Sequence, residues 1–337
     1  MTARIPVGVL TGFLGAGKTT LLRRVLRDPA WADSAVIINE YGEVPLDHEL
    51  VAAGDETFLS LATGCLCCVM RSDLTETLLA LHRRRAAGEI PPYARVLIET
   101  SGLADPAPIL HALMLEDVVT ATHALHAVAT LVDAQHGMAA LDRHPEAQRQ
   151  VLLADRLLLT KPDLAPDTAA LEARLHALNP AAPIRAAVQG AVPPDWVFAP
   201  GQHAADPAAL AAWLEQAGSA ARHSDGVATM VIEREASIPA MALTLWMQAL
   251  AEHAGPKLLR LKGLVALTET GADRPAAIHA IQHVVHPLEW LETWPSADRR
   301  SRIVLIGQGI PRHWPARLLA ALEAEVVEES ERLSAPR

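Results

Sequence analysis

Cys65, Cys67 and Cys68 are the only cysteines in a chain of 337 residues, and they fall within four positions of one another. Upstream lies a second dense signal, Gly12-Phe13-Leu14-Gly15-Ala16-Gly17-Lys18-Thr19. Thiolates favour zinc, copper(I) and similar late ions. A Gly-x4-Gly-Lys-Thr run lets consecutive backbone N–H groups turn inward around phosphate oxygens, and the helix that follows adds a favourable field at its N-terminus. A loop of this kind holds a nucleotide with magnesium, so the two signals together point to a metal moved under nucleotide control.

Each position in and around the loop has an expected task. Gly12, Gly15, Ala16 and Gly17 form the cradle, Lys18 reaches the β and γ phosphates, Thr19 offers its hydroxyl to magnesium, and Thr20 helps hold the α phosphate. Glu99-Thr100-Ser101-Gly102 follows an apolar run ending at Ile98. There Glu99 is expected as the magnesium-side acid and Gly102 as the amide facing the γ phosphate, so that Lys18 and Glu99 carry hydrolysis. Asn39-Glu40-Tyr41-Gly42-Glu43 ends another apolar run, and Glu40 is expected to reach the magnesium or its waters from a switch segment. Base choice falls to Thr160-Lys161-Pro162-Asp163. A carboxylate at Asp163 accepts both donors of the guanine edge, and the Lys161 stem lies along the base plane. Thr160 stands where the common form of this motif has Asn, which predicts one weaker side-chain contact.

These residues need a scaffold. Val7 to Leu10, Ala35 to Ile38, Arg95 to Ile98, Ala129 to Val132 and Arg156 to Leu159 read as short buried strands. Helices are expected over 19–27, 73–87, 147–154 and 168–178, and this alternation predicts a mostly parallel sheet covered on both faces. The pattern loosens from Gln189 to Asp225, where prolines and glycines gather around a short helical piece near 208–216. Beyond it, strands are expected at 227–233, 258–268 and 303–306, with helices at 240–253 and 317–327. The organisation read from the sequence is an α/β P-loop NTPase domain over 1–190, a linker over 191–224 and a small α+β domain over 225–330.

Composition narrows the class. Hydrophobic residues make up 50% and aromatics 4%, so the cores are aliphatic. A net charge of −10 argues against a polyanion-binding surface, and nucleic acid is not expected as a partner. Ile5 to Leu14 is interrupted by Pro6, Gly8 and Gly12 and runs into the phosphate loop, so it reads as a strand and not as a signal. No run of about 18 uncharged apolar residues predicts a membrane span. An odd, clustered set of cysteines fits a reducing cytoplasm better than a disulfide framework.

Taken in order, Gly12 to Thr20, Asn39 to Glu43, Gly64 to Cys68, Glu99 to Gly102 and Thr160 to Asp163 resemble the CobW family of metal-trafficking P-loop GTPases. Softer matches continue through Leu259 to Gly263 and Arg300 to Gly307, so the resemblance spans the chain. It implies GTP hydrolysis with Mg2+, a cysteine loop that binds Zn2+ or Co2+, and delivery to a client metalloprotein or metal-inserting enzyme. Many members carry a histidine-rich stretch; here the 15 histidines are scattered. Three thiolates leave one tetrahedral position open, to be completed by Glu40, Glu43, His48, water or a partner group. The oligomeric state stays undetermined, as does the residue that positions the attacking water. Two other classes remain open: an ATP-using P-loop kinase or ligase, and a metal sensor in which the nucleotide only sets shape.

Other residues carry weaker signals. His279, His283 and His286 have spacings that a helix gathers on one side, but scattered histidines without a metal are the stronger reading. Trp246, Trp290, Trp294 and Trp314 are expected in the second core. Arg299, Arg300 and Arg302 read as a solvated strand entry, and Arg83 to Arg85 as a polar helix end.

Overall fold

The computed structural model describes residues 4–39, 58–60, 67–165, 167–179, 182–200, short stretches between 207 and 224, and 227–334 apart from 283, 286 and 287. The chain divides into two compact units, Met1–Ala205 and Asp206–Arg337.

The first unit is built on a parallel sheet of seven strands in the order β3-β2-β4-β1-β5-β6-β7. These are β1 (Ile5–Gly12), β2 (Ser34–Asn39), β3 (Phe58–Ser60), β4 (Arg95–Thr100), β5 (His123–Asp133), β6 (Arg156–Thr160) and β7 (Ile184–Ala187). Val7, Val9 and Leu10 of β1 are fully buried, as a central strand covered on both faces requires. Helices α1 (Lys18–Leu26), α2 (Cys67–Ala86), α3 (Ala107–Leu115), α4 (Asp117–Thr120), α5 (Gly137–Arg143), α6 (Pro145–Leu153), α7 (Ala169–Leu178) and α8 (Pro194–Val197) accompany the strands. Leu21, Leu22 and Val25 of α1 enter one core with Leu10, Val36, Leu97 and Leu158. From β1 the chain moves to one side for β2, β3 and β4 and to the other for β5, β6 and β7, so a crevice opens at the carboxyl edge beside β1.

Several expectations change here. Val192, Val197 and Phe198, read as the start of a linker, pack into the core of the first unit. Helix α2 begins at Cys67 and not near residue 73, so two of the three cysteines sit in helix and not in a loop. Strand β5 starts at His123, well before the expected Ala129: His123 and His126 interrupt the apolar pattern, and the ladder to β1 continues across a register shift that leaves His126 unpaired in it.

The second unit has an antiparallel sheet in the order β12-β11-β10-β14-β9-β8, with β13 paired to β11. Its strands are β8 (His223–Ser224), β9 (Val227–Arg234), β10 (Leu258–Leu267), β11 (Gly271–Ile281), β12 (Val284–Val285), β13 (Glu289–Trp290) and β14 (Ser301–Gln308). One face packs against α9 (Ala240–Ala254) and α10 (Trp314–Ser334). Trp246 is fully buried there and donates its indole N–H to the Pro315 carbonyl at 2.8 Å, which satisfies the polar handle of a core tryptophan.

Trp314 packs against the same core, but Trp290 is 47% exposed on the short strand β13. The helical reading of His279 also fails: it lies in β11 opposite Lys262, its Nε2 4.0 Å from Glu289, while His283 and His286 fall outside the described residues. Arg300 and Arg302 are tied to Asp298 and Glu233, and Arg299 to Asp273, as surface ion pairs.

Candidate functional site

Because the strands of the first sheet are parallel, every segment that follows one opens at the same edge. The phosphate loop follows β1, Glu99 and Thr100 end β4, Asp133 ends β5, Thr160 ends β6, and α2 opens with Cys67 and Cys68 after β3. The site is therefore assembled by topology before any side chain is considered.

Gly17 caps α1 with φ 89, a left-handed conformation that a side chain would strain. Lys18, 8% exposed, donates to the Gly12 carbonyl at 2.8 Å and lies 3.4 Å from that of Phe13, so its ammonium spans the loop. Thr19 donates its hydroxyl to Glu99 Oε1 at 2.8 Å across the β1 and β4 segments. A hydroxyl and a buried carboxylate in contact are the hard oxygen ligands that magnesium takes. Thr20 is exposed in the first turn of α1. Gly102 lies so close to the loop that a Cβ there would come within 2.7 Å of the Leu14 backbone nitrogen. Only glycine fits, and the segment after Glu99 cannot move toward the phosphate loop without pushing it. Thr100 adds a hydroxyl bond to Thr11 at 2.8 Å, and Gln150 of α6 donates to the carbonyls of Gly102 and Ala104 at 3.2 and 3.0 Å.

On the other side of the loop, Thr160 donates to the Ala16 carbonyl at 2.9 Å and lies 3.2 Å from that of Val132. Thr160 thus ties β6 to the phosphate loop through its hydroxyl. Lys161 donates to the Gly15 carbonyl at 2.8 Å and to Asp133 Oδ2 at 2.6 Å. Burial acts to raise the Asp133 pKa, but the Lys161 hydrogen bond, the N–H groups of Gln135 and His136 and the Lys161 charge outweigh it and hold the carboxyl below the usual carboxylate range. Asp163 is exposed in the turn Pro162–Leu164, and nothing among the described residues bonds its carboxylate.

Sequence reasoning missed Asp133 and Gln150. Asp133 had a visible signal, an acid at the end of an apolar strand; Gln150 had none, since only the fold brings it to the Gly102 carbonyl.

The cysteine segment is placed by backbone alone. Cys67 and Cys68 occupy the first turn of α2. Cys65, Glu40, Glu43 and His48 lie outside the described residues. Among the described residues no group of three or more His, Cys, Asp or Glu could hold a metal ion, and no helix is long and apolar enough to cross a membrane.

Comparison with known proteins agrees with this architecture. Residues 6–186 match the CobW/HypB/UreG nucleotide-binding domain, and residues 227–324 match the cobalamin synthesis protein cobW C-terminal domain. The zinc chaperone YjiA of Escherichia coli is 32% identical over 307 residues, covering 91% of this chain and 95% of that protein. The zinc-regulated GTPase metalloprotein activator 1 of Schizosaccharomyces pombe is 32% identical over 48% of this chain and 39% of its own length. The crystal structure of Zn(II)-bound YjiA GTPase superposes with a TM-score of 0.71 at 26% identity, covering 95% of this chain and 99% of that one. A Zn(II)-bound triple mutant of the same protein, with one glutamate and two cysteines replaced by alanine, gives a TM-score of 0.68 at 27% identity, covering 96% and 100%. With both family domains matched in order, the chain belongs to the CobW family of P-loop nucleotide-binding proteins.

Proposed function

We propose that this protein is a GTP-dependent metallochaperone of the cytoplasm that binds Zn2+, or Co2+, through Cys65, Cys67 and Cys68 and passes it to a client metalloprotein or metal-inserting enzyme when GTP is hydrolysed. The observation that carries this reading is positional. The cysteine-bearing start of α2, the phosphate loop and the Glu99 to Gly102 segment share one edge of one sheet. The names of the relatives in E. coli and S. pombe, a zinc chaperone and a zinc-regulated GTPase, point the same way.

In this reading Gly12, Gly15, Ala16 and Gly17 present amides to the phosphates, Lys18 counters the β and γ charges, and Thr20 steadies the α phosphate. Thr19 and Glu99 hold Mg2+, with Glu40 added from outside the described residues. The bound ion neutralises charge that builds on the phosphate oxygens. Asp163 takes the guanine edge and Lys161 floors the base. The Gly102 amide meets the γ phosphate, and because Gly102 is wedged against Leu14, that contact is transmitted to the loop that leads back to β1. Loss of the γ phosphate removes interactions made in one state only, which is the free energy available to loosen the cysteine segment.

A zinc titration against a competing chelator tests the coupling. Affinity is expected to be at least about tenfold higher with a non-hydrolysable GTP analogue than with GDP, a difference of about 1.4 kcal/mol. Equal affinities would reject it. Because zinc is found in the crystals of a relative even after two cysteines are removed, the titration is run on wild type and Cys67→Ser in solution. The thiolate site is the component that the substitution abolishes.

A further inference from the structure

Asp133 closes β5 opposite Thr160 in the ladder to β6, and it is 7% exposed. Its two oxygens divide their work. Oδ1 accepts the backbone N–H groups of Gln135 at 2.8 Å and His136 at 3.2 Å, which fixes the turn into α5. Oδ2 takes the Lys161 ammonium at 2.6 Å. That ammonium also reaches the Gly15 carbonyl of the phosphate loop at 2.8 Å, and Lys161 itself holds a left-handed backbone, φ 53, which costs a residue with a Cβ. A lysine stem has four rotatable bonds and no direction of its own. Here its root is set by the strained turn and its tip by two acceptors on different segments, so the stem has a single course.

We infer that Asp133 is a positioning residue for the nucleotide: by anchoring the tip of Lys161 it fixes that stem as the platform on which the guanine base rests, and so sets how long the nucleotide stays bound. The inference rests on the guanine-nucleotide reading proposed above. The carboxylate does not touch the base. It removes freedom from the side chain that does, and it cancels the ammonium charge, which leaves an apolar stem facing the base. The contact is short and its carboxylate is buried, although the lysine side is half-exposed, so the two groups act as a unit and removing either is expected to release the other.

The test compares release of fluorescently labelled GDP from wild type, Asp133→Asn, Lys161→Met and the double variant. Asparagine keeps an Oδ1 for the two amides of the turn while giving up the charged contact, so the fold is spared. Release from Asp133→Asn is expected to be about tenfold faster than from wild type, and the double variant no faster than Lys161→Met alone. Inorganic triphosphate with Mg2+, which has no base, is expected to bind wild type and Asp133→Asn equally. Unchanged GDP release in Asp133→Asn, additive effects in the double variant, or an equal loss of GDP and triphosphate binding each overturn the inference. The last of these would make Asp133 a support of the phosphate loop. A wild-type chain that binds no guanine nucleotide overturns the functional reading as well, whereas wild-type binding with an indifferent Asp133→Asn overturns this inference alone.

Discussion

The two edges of the first sheet differ in how far their buried polar groups are bonded. At the carboxyl edge, Lys18, Thr19, Glu99, Thr100, Gln150, Thr160, Lys161 and Asp133 bond to one another or to backbone carbonyls of the phosphate loop. At the amino edge, His123 opens β5, Tyr93 precedes β4 and His82 approaches from the end of α2. There His123 Nε2, Tyr93 Oη and His82 Nδ1 are buried with no hydrogen-bond partner among the described residues. The carboxyl edge is a connected network in which Gln150 Oε1 is the buried atom left without a described partner, apart from Glu99, which makes further interactions; the amino edge leaves three such atoms from three separate stretches and carries their cost. The difference predicts that function and acid stability are set at opposite ends of the same strands.

The largest effect is expected at the carboxyl edge. Lys18→Ala removes the cation that spans the loop, and nucleotide affinity should fall on the order of a thousandfold, measured by equilibrium titration. The unfolding midpoint without nucleotide should move by only a few degrees. A loss of folding in place of a loss of binding would mean that the network is part of the core and that the contrast between the edges is false.

Next comes acid. His123 is fully buried, and burial, followed by the charges of His82 and Arg85, lowers its pKa to about 4 from the ordinary 6.5. Below pH 6.5 the unfolded chain takes up a proton that the folded chain refuses, so stability falls with pH until about 4, a total of about 3 kcal/mol from this group. Urea midpoints between pH 7.5 and 4.5 for wild type and His123→Gln check this: the variant's curve should be flatter through that window. Parallel curves would remove His123 as the cause.

How much of this was legible follows the same contrast. The segments of the phosphate loop, Glu99 and the Lys161 to Asp163 turn stood out because each follows a short apolar strand with fixed residue types at fixed spacing, and the fold places all three at one edge. The strands that escaped notice lack that demand. β3 is only three residues long, β7 is an edge strand with Arg185 exposed, and β11 carries Asp273, Arg274 and Pro275 yet still pairs with β10. Cys67 and Cys68, expected in a loop after Gly64, open a twenty-residue helix, where tertiary context overrides the poor helix propensity of cysteine. His123, His82 and Tyr93 come from three distant stretches, and no local pattern announces a meeting of that kind.

Tyr93→Phe is the smallest and sharpest probe of the amino edge. The Tyr93 ring is 3% exposed with the Arg85 guanidinium 5.1 Å from its centroid, and burial raises the phenol pKa against the opposing influence of that cation. Phenylalanine keeps the ring, its burial and the cation contact, and discards only a hydroxyl that bonds to no described residue. Removing a buried donor that has no partner recovers its desolvation cost, so the variant should be as stable as wild type or up to about 1 kcal/mol more stable by urea unfolding. At the carboxyl edge the equivalent loss of a hydroxyl, Thr160 for example, would break a bond to the phosphate loop and cost stability instead. If Tyr93→Phe destabilises the protein by more than about 1 kcal/mol, the hydroxyl is bonded in solution, and the amino edge is a hydrogen-bonded network like its counterpart.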